Sequence, residues 1–200
     1  MRKMLLWFAM LLQYAVPVFA GGLDGPLVYR GFTVDISAIG NSSRRAEIEK
    51  SLTHQLDIVA DCGAKPDVLA FFRAQQIVLK RGMGDVGGEF DPEGRVVIDA
   101  APEPPEQPII LHELLHAYHA RVLPDGTRNA DILSYYHHAK EAALYSPDAY
   151  LLTNQREFFA TTASLYLWGR VDREPFTREN LRAKQPHYYD WLGQLFGVRK

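Results

Sequence analysis

A chain of 200 residues with a formal charge of −2, 47% hydrophobic and 23% charged residues has the composition of one folded globular domain. That balance excludes a disordered chain, a collagen-like repeat and a disulfide-stapled miniprotein, and a single cysteine, Cys62, excludes an intramolecular disulfide. No broad basic footprint is present, so nucleic acid is not an expected partner.

In chain order, the first segment reads as an address rather than architecture. Arg2 and Lys3 precede an apolar run from Met4 to Val16, Pro17 breaks that run, and Val18-Phe19-Ala20 puts small residues before Gly21. This is the three-part pattern of a secretory signal peptide over residues 1–20, with cleavage after Ala20. The apolar run falls short of the roughly 18 residues a spanning helix needs. A secreted or periplasmic domain over 21–200 follows, with no membrane association once the signal is removed. Cys62 reads as a small buried residue at a helix end.

Residues 29–36 alternate in polarity, with Phe32, Val34 and Ile36 on one face, and predict a half-buried strand. Asn41-Ser42-Ser43 can cap a helix through about Ala60, on which Ile48, Leu52, Leu56 and Val59 recur at helical spacing. A short helix over 67–75 and a strand at Ile77-Val78-Leu79 come next. The glycines from Gly82 to Gly88 lack any phosphate-cradling spacing and read as a loop. Residues 89–99 predict a hairpin about the turn Asp91-Pro92-Glu93-Gly94, and Ala101 to Pro108 is proline-rich, stiff and extended. Helices are then expected from Pro108 to about Leu123, over 130–145, over 154–168 between Thr153 or Asn154 as cap and Gly169 as terminator, and over 178–184 and 187–196. The fold class is α+β, a small mixed sheet followed by a helical half.

The chemistry concentrates at His112-Glu113-Leu114-Leu115-His116. Residues four apart on a helix lie about 40° apart around the axis, so His112 and His116 can place two imidazoles on one Zn²⁺. Glu113 lies beside that face, within reach of a metal-bound water. This is the HExxH pattern of zinc metallopeptidases. A catalytic zinc needs a third protein ligand. The metzincin continuation fails, since His119 and Val122 occupy its glycine and histidine positions. His119 reads as a supporting or packing residue. Of His137 and His138, neighbours about 100° apart on a helix, at most one can face the site. Glu157 is the better candidate, a carboxylate inside the otherwise apolar face of the 154–168 helix, with the competing reading that it is the N3 member of an Asn154-capped box.

The stretch Thr153-Asn154-Gln155-Arg156-Glu157-Phe158-Phe159-Ala160 resembles the third-ligand helix of gluzincins of the lethal-factor-like and Pro-Pro endopeptidase group. The resemblance implies a zincin-like domain with one Zn²⁺ per chain on His112, His116 and Glu157, and Glu113 as the catalytic base acting on the zinc-bound water. It implies that Tyr150 stabilises the oxyanion, and that the hairpin 89–99 is the edge along which a peptide or protein substrate lies extended, adding its backbone to the strand at 95–99. The chain departs from the group at Thr161, where relatives often carry a carboxylate one turn beyond the ligand. A monomer is expected. The alternative is a non-catalytic exported domain that keeps the zincin fold to bind zinc or a partner. Tyr135-Tyr136 and Tyr188-Tyr189-Asp190-Trp191 read as packing rather than as a ligand platform.

Overall fold

Leu27–Tyr29 (β1) and Phe32–Asp35 (β2) form an antiparallel hairpin where a single strand was expected over 29–36. Arg30 and Gly31 both take positive φ, 48° and 85°, and this two-residue turn folds the chain back on itself. The alternation is nevertheless kept, with Phe32, Val34 and Ile36 all buried. The computed structural model describes residues 25–84 and 86–198, so the signal-peptide pattern over 1–20 lies outside the described residues.

Helix α1, Arg45–Asp61, buries Ile48, Leu52, Leu56 and Val59, and Cys62 ends it, buried. It begins without a side-chain cap, because Ser42 spends its hydroxyl on the Arg44 N–H at 3.2 Å, one turn before the helix proper. Helix α2, Pro66–Arg73, opens on proline, and β3, Ile77–Lys80, follows. Strands β4, Gly88–Phe90, and β5, Val96–Asp99, are the expected hairpin.

The five strands run in the order β1-β2-β3-β5-β4, parallel at the two central pairings and antiparallel at both edges. Val96, Val97 and Ile98 are all buried, as befits a strand covered on both faces. That placement corrects one expectation. The strand at 95–99 is hydrogen-bonded on both sides and has no free edge for a peptide; the edge beside it is β4.

The helical half comprises α3 (Ile109–Arg121), α4 (Ala130–Glu141), α5 (Gln155–Trp168), α6 (Arg178–Lys184) and α7 (Pro186–Phe196). Helix α4 stops four residues short of the expected 145, and Ala143 there takes φ of 48°. Every residue from Phe158 to Leu167 is buried, which makes α5 the central helix, ended by Gly169 at φ 107°. At about 2 kcal/mol for each fully buried large apolar side chain, this helix is a principal source of stability. Tyr188 stacks on Phe158 at 5.0 Å and on Trp191 at 5.7 Å, and Tyr135 closes on Tyr188 at 4.8 Å. These aromatics are therefore core packing, as expected. Among the described residues, no helix is long and apolar enough to cross a membrane.

Candidate metal centre and cleft

Two elements hold α3 in place. Leu111, Leu114 and Leu115 are fully buried, which fixes the rotation of the helix and turns His112 and His116 towards α5. The start of α3 lacks a side-chain cap of its own, and a buried glutamine on α1 takes that role: Gln55 Oε1 accepts from the Ile110 N–H at 3.4 Å while its Nε2 donates to the Gln107 carbonyl at 2.7 Å. One turn earlier on α1, Ser51 Oγ accepts from the Glu103 N–H at 2.8 Å. The proline-rich 101–108 segment is thus tied down along α1 and enters α3 at a fixed angle.

Helix α5 delivers the third group. Asn154 Oδ1 accepts from the Arg156 and Glu157 N–H groups at 2.9 and 3.1 Å, so the cap reading of this helix start is correct. The Glu157 carboxylate does not turn back to that cap. Its Oε2 lies 3.1 Å from His112 Nε2 and 3.4 Å from His116 Nε2, and the two Nε2 atoms are 3.1 Å apart. The capped backbone and the inward carboxylate are two uses of one residue.

Glu113 also lies close, its carboxylate within 4.8 Å of both imidazoles in a group able to hold a metal ion. Glu157 makes the tighter approach to the pair, at 3.1 and 3.4 Å, and is the candidate third donor. Glu113, only 6% exposed, instead faces β4, where the Phe90 backbone hydrogen-bonds it. Burial pushes the Glu113 carboxyl above its usual range, against the pull of the two imidazoles and the Phe90 bond. Burial would raise Glu157 as well, but hydrogen bonds with His112 and His116 outweigh it and hold Glu157 well below the usual carboxylate range.

Tyr150 sits at the mouth of the site, in the one-turn helix Tyr150–Leu152, with its ring 6.3 Å from that of His112. Burial and the neighbouring Glu157 carboxylate push its phenol up, so it stays protonated and can donate a hydrogen bond. The Arg173 guanidinium lies 4.5 Å over the ring and steadies it. His119 is fully buried against the Phe159 ring at 4.9 Å. Burial lowers its pKa to about 4, which leaves it neutral and a packing residue beside the site. His137 and His138 are both exposed on α4, and neither lines the clefts beside the centre. Thr161, one turn past Glu157, is buried with its hydroxyl unpartnered among the described residues.

A cleft of about 580 Å³ opens on one side of these groups, lined by His112, Glu113 and Tyr150 and extending past Gly87, Asp99 and Glu103. A smaller one of about 260 Å³ lies on the other side, towards His116, His119 and Arg156. Strand β4 and its approach border both. Gly88 packs so closely on α3 that a Cβ there would come within 2.8 Å of Glu113 Cγ and 3.1 Å of Ile98 Cδ1. Sequence inspection missed Gly88, Phe90, Asp99 and Glu103, because none carries a local signal: their roles arise only when β4 and the 101–108 segment are folded against α3. Gly88→Ala is expected to keep the metal site and to lower kcat on any substrate turned over here by about 10². Unchanged kcat with an unchanged metal content would show that the strand yields and that its fit to Glu113 is unimportant.

No protein-family model matches the chain. A stretch of 87 residues is 32% identical to a curated Pro-Pro endopeptidase of Paenibacillus alvei, and the match spans 43% of this chain but only 37% of that relative's length. In three dimensions the chain is similar to the structure of the Pro-Pro endopeptidase from Paenibacillus alvei, with a TM-score of 0.54 at 20% identity over 78% of this chain and 95% of that one. The mixed sheet and the helical half bearing His112, Glu113 and His116 follow the fold of that structure, and the α+β expectation stands.

Proposed function

We propose that this chain is an exported zinc-dependent endopeptidase. The observation that carries the reading is the triangle of His112 Nε2, His116 Nε2 and Glu157 Oε2, with sides of 3.1, 3.1 and 3.4 Å. Ligands at the usual 2.0–2.2 Å from a tetrahedral zinc stand about 3.3–3.6 Å apart, so the three donors are within a few tenths of an ångström of the spacing of one face of such a tetrahedron. Two imidazoles and one carboxylate, with Glu113 left over and buried beside them, suit an open catalytic site better than a closed structural one. The match to a protein named Pro-Pro endopeptidase supports the same reading, and a bond between two prolines is the first substrate to offer.

Zinc held by these three side chains supplies Lewis acidity towards a water molecule and the scissile carbonyl oxygen. Glu113 serves as general base and then general acid, taking the proton of the attacking water and passing it to the leaving amine; its raised carboxyl is suited to both steps. Tyr150, kept protonated, donates to the developing oxyanion, a contribution that reaches about 3 kcal/mol per donor in comparable sites. The substrate backbone extends along β4, the edge strand of the hairpin, rather than along β5 as the sequence suggested. Export is supported by the basic, apolar and small-residue order of residues 1–20.

The test combines metal analysis with cleavage. Purified protein is expected to retain about one zinc per chain and to cut proline-containing peptides, with activity removed by a chelator and restored by Zn²⁺. Zinc retained without cleavage of any peptide in a broad library would favour the non-catalytic domain. No retention of zinc after resupply would end the reading.

A further inference from the structure

The larger cleft does not stop at the metal centre. From His112 and Glu113 it runs to a wall formed by Asp99, at the end of β5, and Glu103, in the proline-rich segment. Glu103 is half-buried and seated against bare backbone: a Cβ on Gly87, in the approach to β4, would stand 2.9 Å from its Oε2. Cations are scarce in this wall. Arg173 is committed to Asp172 at 3.3 Å and to the Tyr150 ring. Asp172 in turn accepts from Gln107 Nε2 at 2.5 Å. Asp99 and Glu103 have no ion-pair partner among the described residues.

A second observation points the same way. Thr161, 2% exposed, belongs to the wall of this cleft, and its hydroxyl has no hydrogen-bond partner among the described residues. Burial and the neighbouring Asp99 push the Glu103 carboxyl up to about 7, and two acids without a counter-ion in a cleft that also holds an unsatisfied hydroxyl are what a site looks like before its cationic ligand arrives. Asp99 stands close enough to Glu103 to help raise its carboxyl, but among the described residues no third histidine, cysteine or acid joins the pair in a group spaced to hold a metal ion. That arrangement favours a long organic cation, which can reach the pair and lay its methylenes on Val86 and Ile109 in the same wall.

We infer that the Asp99–Glu103 end of the cleft is a specificity subsite for a lysine or arginine side chain of an extended substrate whose scissile bond lies at the metal centre. The inference rests on the endopeptidase reading for its scissile bond, but not for its ligand chemistry.

The experiment uses acetylated, otherwise identical peptides with lysine, norleucine or glutamate at each position on either side of the cleaved bond. Zinc-loaded wild type is expected to prefer lysine over norleucine by about tenfold in kcat/KM at one position, the size of one charge-assisted contact. Asp99→Asn combined with Glu103→Gln is expected to bring that ratio within twofold. Because the readout is a ratio within one variant, partial misfolding does not mimic it. Binding of the same peptides to zinc-loaded Glu113→Gln reads the subsite without turnover, and the lysine peptide is expected to bind about tenfold tighter than the norleucine peptide. Equal affinities, or a lysine preference that survives the double substitution, would overturn the subsite. No preference among the acetylated peptides, with one appearing only when the same peptides carry a free amino terminus, would overturn the side-chain assignment. Selective binding with no cleavage in wild type would leave the subsite standing and defeat the peptidase reading instead.

Discussion

Glu113→Gln is expected to lower kcat/KM by about 10³-fold, or roughly 4 kcal/mol of transition-state stabilisation, while metal content stays at the wild-type level. The substitution keeps the size of a side chain that is 6% exposed and packed under Gly88, so the strand above it has no reason to move. The amide oxygen can still accept the hydrogen bond from the Phe90 backbone. What is lost is the ability to take up and return a proton. Side-by-side kinetics and metal analysis of the two proteins decide the matter. Activity within tenfold of wild type would remove Glu113 from the chemistry, and a loss of metal would make it a ligand rather than a base.

Glu157→Ala is expected to weaken metal retention by at least about 100-fold, since partners that merely orient a ligand already account for 10- to 100-fold. The carboxylate is held ionised by the two imidazoles, and its charge offsets that of the cation they would share. Competition against a chromophoric chelator measures the change. The companion variant Asn154→Ala separates ligation from helix capping: it removes the bonds to the Arg156 and Glu157 N–H groups and is expected to cost about 1 kcal/mol of stability with the metal retained. Equal metal affinity in Glu157→Ala and wild type would transfer the third ligand to Glu113, which also stands near both imidazoles.

Much of this centre was legible in the sequence because its parts are local. A four-residue spacing sets His112 and His116 on one helical face, and a carboxylate in an apolar helix is conspicuous at Glu157. Cap and terminator signals placed α5 to within a residue, from Asn154 to Gly169. The failures share a different cause. Residues 29–36 looked like one strand because the alternation of Phe32, Val34 and Ile36 begins directly after a turn whose only marker is Gly31, while Tyr29 before it belongs to β1. The strand at 95–99 looked like an edge because strand order is a property of the whole sheet, which no local pattern encodes. His119 shares the helical stripe of His112 and His116, yet neighbours on a stripe need not share a role: three residues further on, the helix is already under Phe159. Asp99 and Glu103 were unremarkable acids until the fold set them along one wall of the cleft.

Strand β4 has a double duty whose consequence is thermodynamic. Its first residue presses on the Glu113 side chain and its last supplies that carboxylate with a backbone hydrogen bond, while its outer rim is the open border of the sheet. An extended chain annealed to that rim would damp the fraying to which a three-residue border strand is prone, and with it the wandering of the base beneath. Occupancy and alignment of the proton-transfer group would then draw on a single free energy. Peptides too short to cover the rim would meet a less ordered base as well as a weaker grip, so shortening the substrate would depress the rate at saturation and not affinity alone.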